Sequence, residues 1–255
     1  MHDELTFCIP VRIDSQKRIE NLFSSIEYIC RNSACQILVI EADGSSKVDI
    51  SSFSDQVIYR FIKDENPIFH RTHYINLMLK SVKTKYAAIW DADIIVDITK
   101  IENALKLISP SSPLVLPYNG ICYNVPDYIA EKFRRDINIS LFYKYTDLLN
   151  IMNPYRVVGG AFIVDVMEYK NLGWENEHFI GWGPEDAERV RRLFILGKKV
   201  RQVDGVMFHL SHPKTSVGTD AERLAYITRQ EFCKVCRMRY DELVNYIKTW
   251  KWICD

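Results

Sequence analysis

The first ninety residues alternate short apolar runs with amphipathic stretches. Leu5–Val11 is an apolar run broken off at Pro10 and Arg12, and Ile19, Leu22, Phe23, Ile26 and Ile29 then recur at helical spacing. Gln36–Glu41 is a continuous apolar strand closed by the turn residues Asp43, Gly44, Ser45 and Ser46. Val57–Ile62 predicts another strand, His70–Val82 a helix and Tyr86–Trp90 a further buried strand. This β-α-β-α-β order predicts parallel strands with helices on both faces, and ligands gather beyond the C-terminal ends of such strands. Arg12, Glu41, Asp43, Asp91 and Asp93 all fall there.

The second half is less regular. Leu114–Pro117 and Ala161–Val164 predict strands, and Asp127–Asn150 a mostly helical stretch. Pro184 opens a helix to about Leu196. Asp220–Trp250 carries a long amphipathic pattern, in which Leu224, Ile227, Phe232, Val235, Met238, Leu243 and Ile247 form a partial apolar face. The expected arrangement is a helix packed on the domain; the alternatives are a dimer contact or a membrane-surface patch for a lipid-linked acceptor, the latter marked by Trp250 and Trp252. Without a repeat or linker, the 255 residues read as one domain.

Composition narrows the function classes. Lys+Arg 33 against Asp+Glu 33 leaves no net charge, so no general footprint for nucleic acid or an anionic membrane exists. No apolar run approaches the roughly 18 residues of a transmembrane helix. The start, with two acids and no basic residue before Pro10, does not resemble a secretory signal. Seven cysteines form an odd set without framework spacing, and the Cys233-x-x-Cys236 pair lies in a helical pattern with no second pair, which disfavours zinc or redox chemistry. The expected setting is the reducing cytoplasm, with membrane association at most peripheral.

Four constellations carry candidate chemistry. Asp91-Ala92-Asp93 directly follows an apolar strand; if the backbone stays extended, both carboxylates face one spot and call for a divalent cation. His209-x-x-His212 follows another apolar stretch, and imidazole beside carboxylate favours Mn²⁺ over Mg²⁺. Phe179-Ile180-Gly181-Trp182-Gly183-Pro184-Glu185-Asp186 brings an indole face between two glycines and two carboxylates into a helix's first turn, where one can serve as general base. Phe69-His70-Arg71 opens a helix with a guanidinium suited to a diphosphate.

In order along the chain, these pieces resemble glycosyltransferases of the GT-A fold, in particular the inverting β-1,4-galactosyltransferase and chondroitin-polymerase group. The matching elements are Ile9-Pro10-Val11-Arg12, Phe69-x-Arg71-x₄-Asn76, Asp91-x-Asp93, Gly159-Gly160, Gly181-Trp182-Gly183-x-Glu185-Asp186 and the late histidines. The resemblance implies a single α/β GT-A domain, Rossmann-like with a mostly parallel central sheet, over residues 1–213, and a C-terminal helical extension over 214–255 packed on it. It further implies that Pro10, Val11, Arg12 and Glu41 cradle the nucleoside, and that Phe69 and Arg71 hold the uridine and the diphosphate or sugar. Asp91 and Ala92 lie nearer the ribose and donor sugar, with Gly160, Trp182, Gly183 and Glu185 lining the sugar site. Asp186 matches the catalytic base. Asp93 matches the metal ligand, joined by His209 or His212, of which His209 is favoured, with Mn²⁺ or Mg²⁺ as the ion.

The implied partners are a UDP-sugar donor and a saccharide or lipid-linked saccharide acceptor, and the implied process is polysaccharide synthesis. Pro184 and Ala187 depart from the galactosyltransferase pattern. Val157 replaces a bulky tyrosine, which leaves room for an N-acetyl group and favours UDP-GalNAc or UDP-GlcNAc over UDP-Gal. Two other classes stay open: a non-catalytic sugar- or nucleotide-binding module on the same fold, and a D-x-D phosphotransferase. The latter usually carries a hydroxyl residue where this chain has Ile95.

Overall fold

In a computed structural model, residues 3–49, 51, 53–213 and 221–254 are described. The start at Met1, the first residues of the 214–255 extension and Asp220 lie outside them. Strands β1 (Leu5–Val11), β2 (Gln36–Asp43), β3 (Val57–Lys63) and β4 (Tyr86–Trp90) run parallel, with β1 between β4 and β2 and β3 at the edge. Every residue of β1 is buried, as a strand covered on both faces requires, whereas β3 leaves Ile58 exposed. Helices α1 (Gln16–Asn32) and α2 (Arg71–Ser81) make the crossovers after β1 and β3.

The chain then builds β5 (Ile94–Val96), α3 (Ile98–Leu107), β6 (Leu114–Leu116) and β7 (Cys122–Val125). The expected helical run from Asp127 is broken into α4 (Asp127–Asp136), α5 (Ser140–Lys144) and a 3₁₀ turn, and ends in β8 (Asn150–Ile151). The break falls at Ile137, whose φ of 53° places it in the left-handed region and closes α4. Next come β9 (Ala161–Asp165), α6 (Val166–Asn171), α7 (Glu185–Ile195), β10 (Val200–Gln202) and β11 (Met207–Leu210). Strand β9 inserts antiparallel between β4 and β6, which completes a seven-stranded sheet in the order β10-β6-β9-β4-β1-β2-β3. A second sheet, β5-β11-β7-β8, stands beside it.

The expected long C-terminal helix is three: α8 (Ala221–Arg237), α9 (Tyr240–Ile247) and α10 (Lys251–Cys254). Val235, Leu243, Ile247 and Trp250 join the same buried cluster as the large sheet. Trp250 is buried and stacks on the half-buried Trp252 at 4.9 Å, so the Trp250 indole faces protein. Cys233 and Cys236 are free thiols on α8. No helix among the described residues is long and apolar enough to cross a membrane.

Because Leu243 is fully buried in that shared cluster, Leu243→Ala should destabilise the fold by about 2–5 kcal/mol in urea unfolding. A loss below about 0.5 kcal/mol, typical of a surface change, would show that α9 does not contribute to the core.

Candidate functional site

Helix α1 positions the centre of the site. Its apolar positions pack on the sheet, yet Asn21 and Ser25 are also fully buried. Asn21 Nδ2 donates to the carbonyls of Leu210 and Ser211 at 3.0 and 3.3 Å, and the Ser25 hydroxyl lies 3.0 and 3.1 Å from those of Ala92 and Ile94. The helix thus clamps the segment carrying Asp93 to the segment carrying His209 and His212. Leu210 N–H donates directly to the Asp93 carbonyl at 2.8 Å.

The clamp brings together Asp93, His209 and His212, whose candidate ligand atoms all lie within 4.8 Å of one another. His212 Nε2 is 3.2 Å from Asp93 Oδ2, and His209 Nε2 is 3.8 Å from Oδ1. His209 Nδ1 donates to Asn124 Oδ1 at 3.1 Å, and His212 Nδ1 to the Pro213 carbonyl at 2.8 Å, so each ring turns Nε2 toward Asp93. A carboxylate and two imidazoles oriented from behind form a donor set that fits Mn²⁺. At Asp93 burial pushes the carboxyl up, but the His212 hydrogen bond, His209 and Arg18 outweigh it and hold the group below its ordinary range. The same hydrogen bond raises His212, whereas burial lowers His209.

Asp91 and Asp93 do not share one spot as an extended backbone predicts. Ile94 N–H donates to the Asp91 carbonyl at 3.2 Å, a tight turn that sends the two carboxylates to different partners. Asp91 Oδ1 accepts from Arg71 Nε and Nη2 at 2.9 and 2.6 Å, and burial still pushes its carboxyl up against that pull. Arg71 Nη1 is buried with no hydrogen-bond partner among the described residues. Ala92, within the turn, is buried.

The strand ends form the neighbouring wall. Pro10 and Val11 are the last two residues of β1, and both are buried. Beyond them Arg12 donates to the carbonyls of Ala42 and Asn66 and to Asp64 Oδ2, and lies 5.4 Å from the Phe69 ring centre. Phe69 is half-buried and stacks on Tyr74. Arg12, Asp14, Asp43, Lys47 and Asp64 line a cleft of about 450 Å³. Glu41 does not open into it. It is fully buried, and its carboxylate accepts from Lys47 N, Val48 N and Tyr59 Oη, so it builds the turn after β2.

The other wall carries the Gly-Trp-Gly element. Asp91 N–H donates to the Gly160 carbonyl at 2.8 Å, and Gly160 has a φ of +86°. At Gly159 a Cβ would lie 1.9 Å from Asp186 Oδ2, so only glycine admits that carboxylate. Asp91, Gly159, Gly160 and Asp186 therefore meet in one crevice. Trp182 is 78% exposed at its rim, and a side chain at Gly183 would strike Thr228 on α8. Glu185 Oε2 is buried with no partner among the described residues, and burial, reinforced by Asp186, pushes its carboxyl up to about 8.

Arg18, Asn21, Ser25 and Arg189 escape a search for motifs. Arg189 is buried, clasps Glu175 through two bonds of 2.8 and 2.6 Å, and donates to Asp186 Oδ1 at 2.8 Å. The available signals were helical spacing: Arg189 lies one turn after Asp186, and Arg18, Asn21 and Ser25 share one stripe of α1.

Glu185 makes the fold sensitive to alkali. From its ordinary value near 4.5 up to about 8, the unfolded chain gives up this proton while the folded chain keeps it, so stability falls as pH rises through that window. Glu185→Gln should gain on the wild type in thermal midpoint between about pH 5 and pH 8. A pH-independent difference between the two would contradict the burial of this carboxyl.

Comparison with known proteins agrees with this architecture. Residues 142–215 match a protein-family model described as the N-terminal domain of galactosyltransferase. A chondroitin synthase of Escherichia coli is 25% identical over 225 residues, which cover 75% of this chain and 33% of that protein. The chain thus spans about a third of this curated relative. Among solved structures, GalNAc-T7 with UDP, GalNAc and Mn²⁺ superposes with a TM-score of 0.59 at 14% identity, covering 96% of this chain and 50% of that one. The mannosyltransferase PcManGT of Pyrobaculum calidifontis with GDP-Man and Mn²⁺ gives 0.58 at 16% identity, covering 97% and 69%. The chain has the GT-A glycosyltransferase fold, with an Asp–His–His group able to hold a divalent cation.

Proposed function

We propose that the chain is a metal-dependent, inverting glycosyltransferase that moves a hexose or N-acetylhexosamine from a UDP-sugar to a hydroxyl of a saccharide or lipid-linked saccharide. The observation that carries this reading is a pair of unmatched buried groups in one crevice: a guanidinium donor, Arg71 Nη1, and a carboxyl oxygen, Glu185 Oε2. A buried polar atom without a partner is costly, so each calls for a ligand group. An anionic phosphate oxygen satisfies the first and a sugar hydroxyl the second. The relatives support the class, since the chondroitin synthase and the GalNAc-T7 complex with UDP and GalNAc both concern sugar transfer or its substrates.

The residues divide the work. Asp93, His209 and His212 would hold a divalent cation, which when bound would supply Lewis-acid neutralisation of charge on the leaving diphosphate. Arg71 adds a fixed positive charge to the same phosphates. Glu185, whose carboxyl burial pushes up, can hydrogen-bond a donor-sugar hydroxyl. Trp182 offers its indole to the apolar face of a sugar. Asp186 takes the proton of the acceptor hydroxyl as that oxygen bonds to the anomeric carbon. The bond from that carbon to the diphosphate breaks on the opposite face, so an α-linked donor gives a β-linked product and UDP. Arg189, donating to Asp186 Oδ1, holds that carboxylate in position.

A screen for UDP release across nucleotide sugars should show turnover with Mn²⁺ and none with EDTA; absence of turnover with every UDP-sugar and saccharide acceptor would contradict the proposal. Asp186→Asn should lower transfer by about 10²–10⁴-fold while UDP–Mn²⁺ binding stays within a few-fold of wild type. Loss of both together would instead make Asp186 a binding residue. Val157→Tyr should shift donor preference toward the unacetylated sugar, and an unchanged ratio of kcat/KM values would remove the argument for an N-acetylhexosamine.

A further inference from the structure

Arg18 stands on the first turn of α1, where Ser15 caps its backbone N–H, and its side chain reaches both the candidate cation site and the wall of the nucleotide cleft. Nη1 lies 2.6 Å from Asp93 Oδ2, the shortest contact that carboxylate makes. Nη2 lies 3.2 Å from Asp14 Oδ2 and 3.3 Å from His212 Nδ1. The guanidinium cannot lose its charge in a protein and has only donors to offer. It therefore supplies the positive charge that a carboxylate only 5% exposed requires, at the oxygen that faces His212.

We propose that Arg18 is the resident counter-ion of the Asp93–His209–His212 site, which competes with a divalent cation for Asp93 and gives way when a diphosphate becomes its partner. The inference rests on the metal-site reading above and assigns a positioning residue to it. Two features of the geometry carry it. A divalent ion among Asp93 Oδ2, His212 Nε2 and His209 Nε2 would meet the guanidinium on the same carboxylate oxygen, and like charges at that range repel strongly. Arg18 also has a second seat: Asp14, its other carboxylate partner, lines the cleft that contains Arg12 and Lys47. A turn of the side chain about Asp14 releases Asp93 and carries the guanidinium toward anionic oxygens in the cleft. Metal and diphosphate would then assist one another through one side chain.

The test uses the full chain as wild type, Arg18→Gln and Arg18→Ala, with folding checked by thermal unfolding. Mn²⁺ alone is titrated by the electron paramagnetic resonance of the free ion, and UDP alone is titrated calorimetrically in EDTA. Both variants should bind Mn²⁺ about fivefold or more tighter than wild type, and UDP without metal about fivefold or more weaker, in the usual range of coupling between sites. Weaker Mn²⁺ binding in the variants would overturn the proposal by making Arg18 a support of the metal site, and equal affinities would make it a bystander. Unchanged UDP affinity would overturn the exchange with diphosphate. If Mn²⁺ binds to none of the three proteins, even with UDP present, the metal-site reading itself fails and the inference with it.

Discussion

Burying the Asp93 carboxylate is the constraint around which the site is built. A charge that deep is tolerated only with paired and hydrogen-bonding groups around it. His209, His212 and Arg18 provide them, and all come from segments distant in sequence. Their convergence needs the second sheet, because β11 carries His209 and hydrogen-bonds between β5 and β7. It also needs Asn21 and Ser25, whose side chains hold the backbone of both ligand segments against α1. A helix that could have been wholly apolar on its inner face gives up two positions to this clamp.

The remaining crevice is uneven in how its charges are matched. Glu175, Arg189 and Tyr169 form a closed set with short bonds, and burial at Glu175 is outweighed by Arg189, which lowers the carboxyl to about 2. Such a set is rigid scaffolding for Asp186. Arg71 and Glu185, by contrast, each keep one buried polar atom without a partner. The solved structures that share the fold were obtained with different nucleotides, UDP in one and GDP-Man in another.

Much of this was legible in the sequence. Continuous apolar runs at β1, β2 and β4 announce a parallel sheet, since only strands covered on both faces can be apolar throughout. Acids placed just after those runs mark the crevice. What spacing could not convey was geometry that depends on turns and partners. The turn at Asp91–Ile94 separates two carboxylates that alternation would have aligned. Glu41 lies near the end of β2 where a ligand contact was expected, yet Tyr59 and the Lys47 and Val48 amides occupy it. The left-handed Ile137 interrupts a stretch whose composition is helical. Arg18 was hidden because a basic residue in a helix's first turn usually faces water.

The most direct test of the account is a crystal structure with Mn²⁺ and UDP, with data collected at the manganese absorption edge. The account predicts one anomalous peak touching the Asp93 carboxylate and imidazole nitrogen from His209, His212 or both. A peak away from Asp93, or an ion held by UDP with no imidazole in contact, would contradict it.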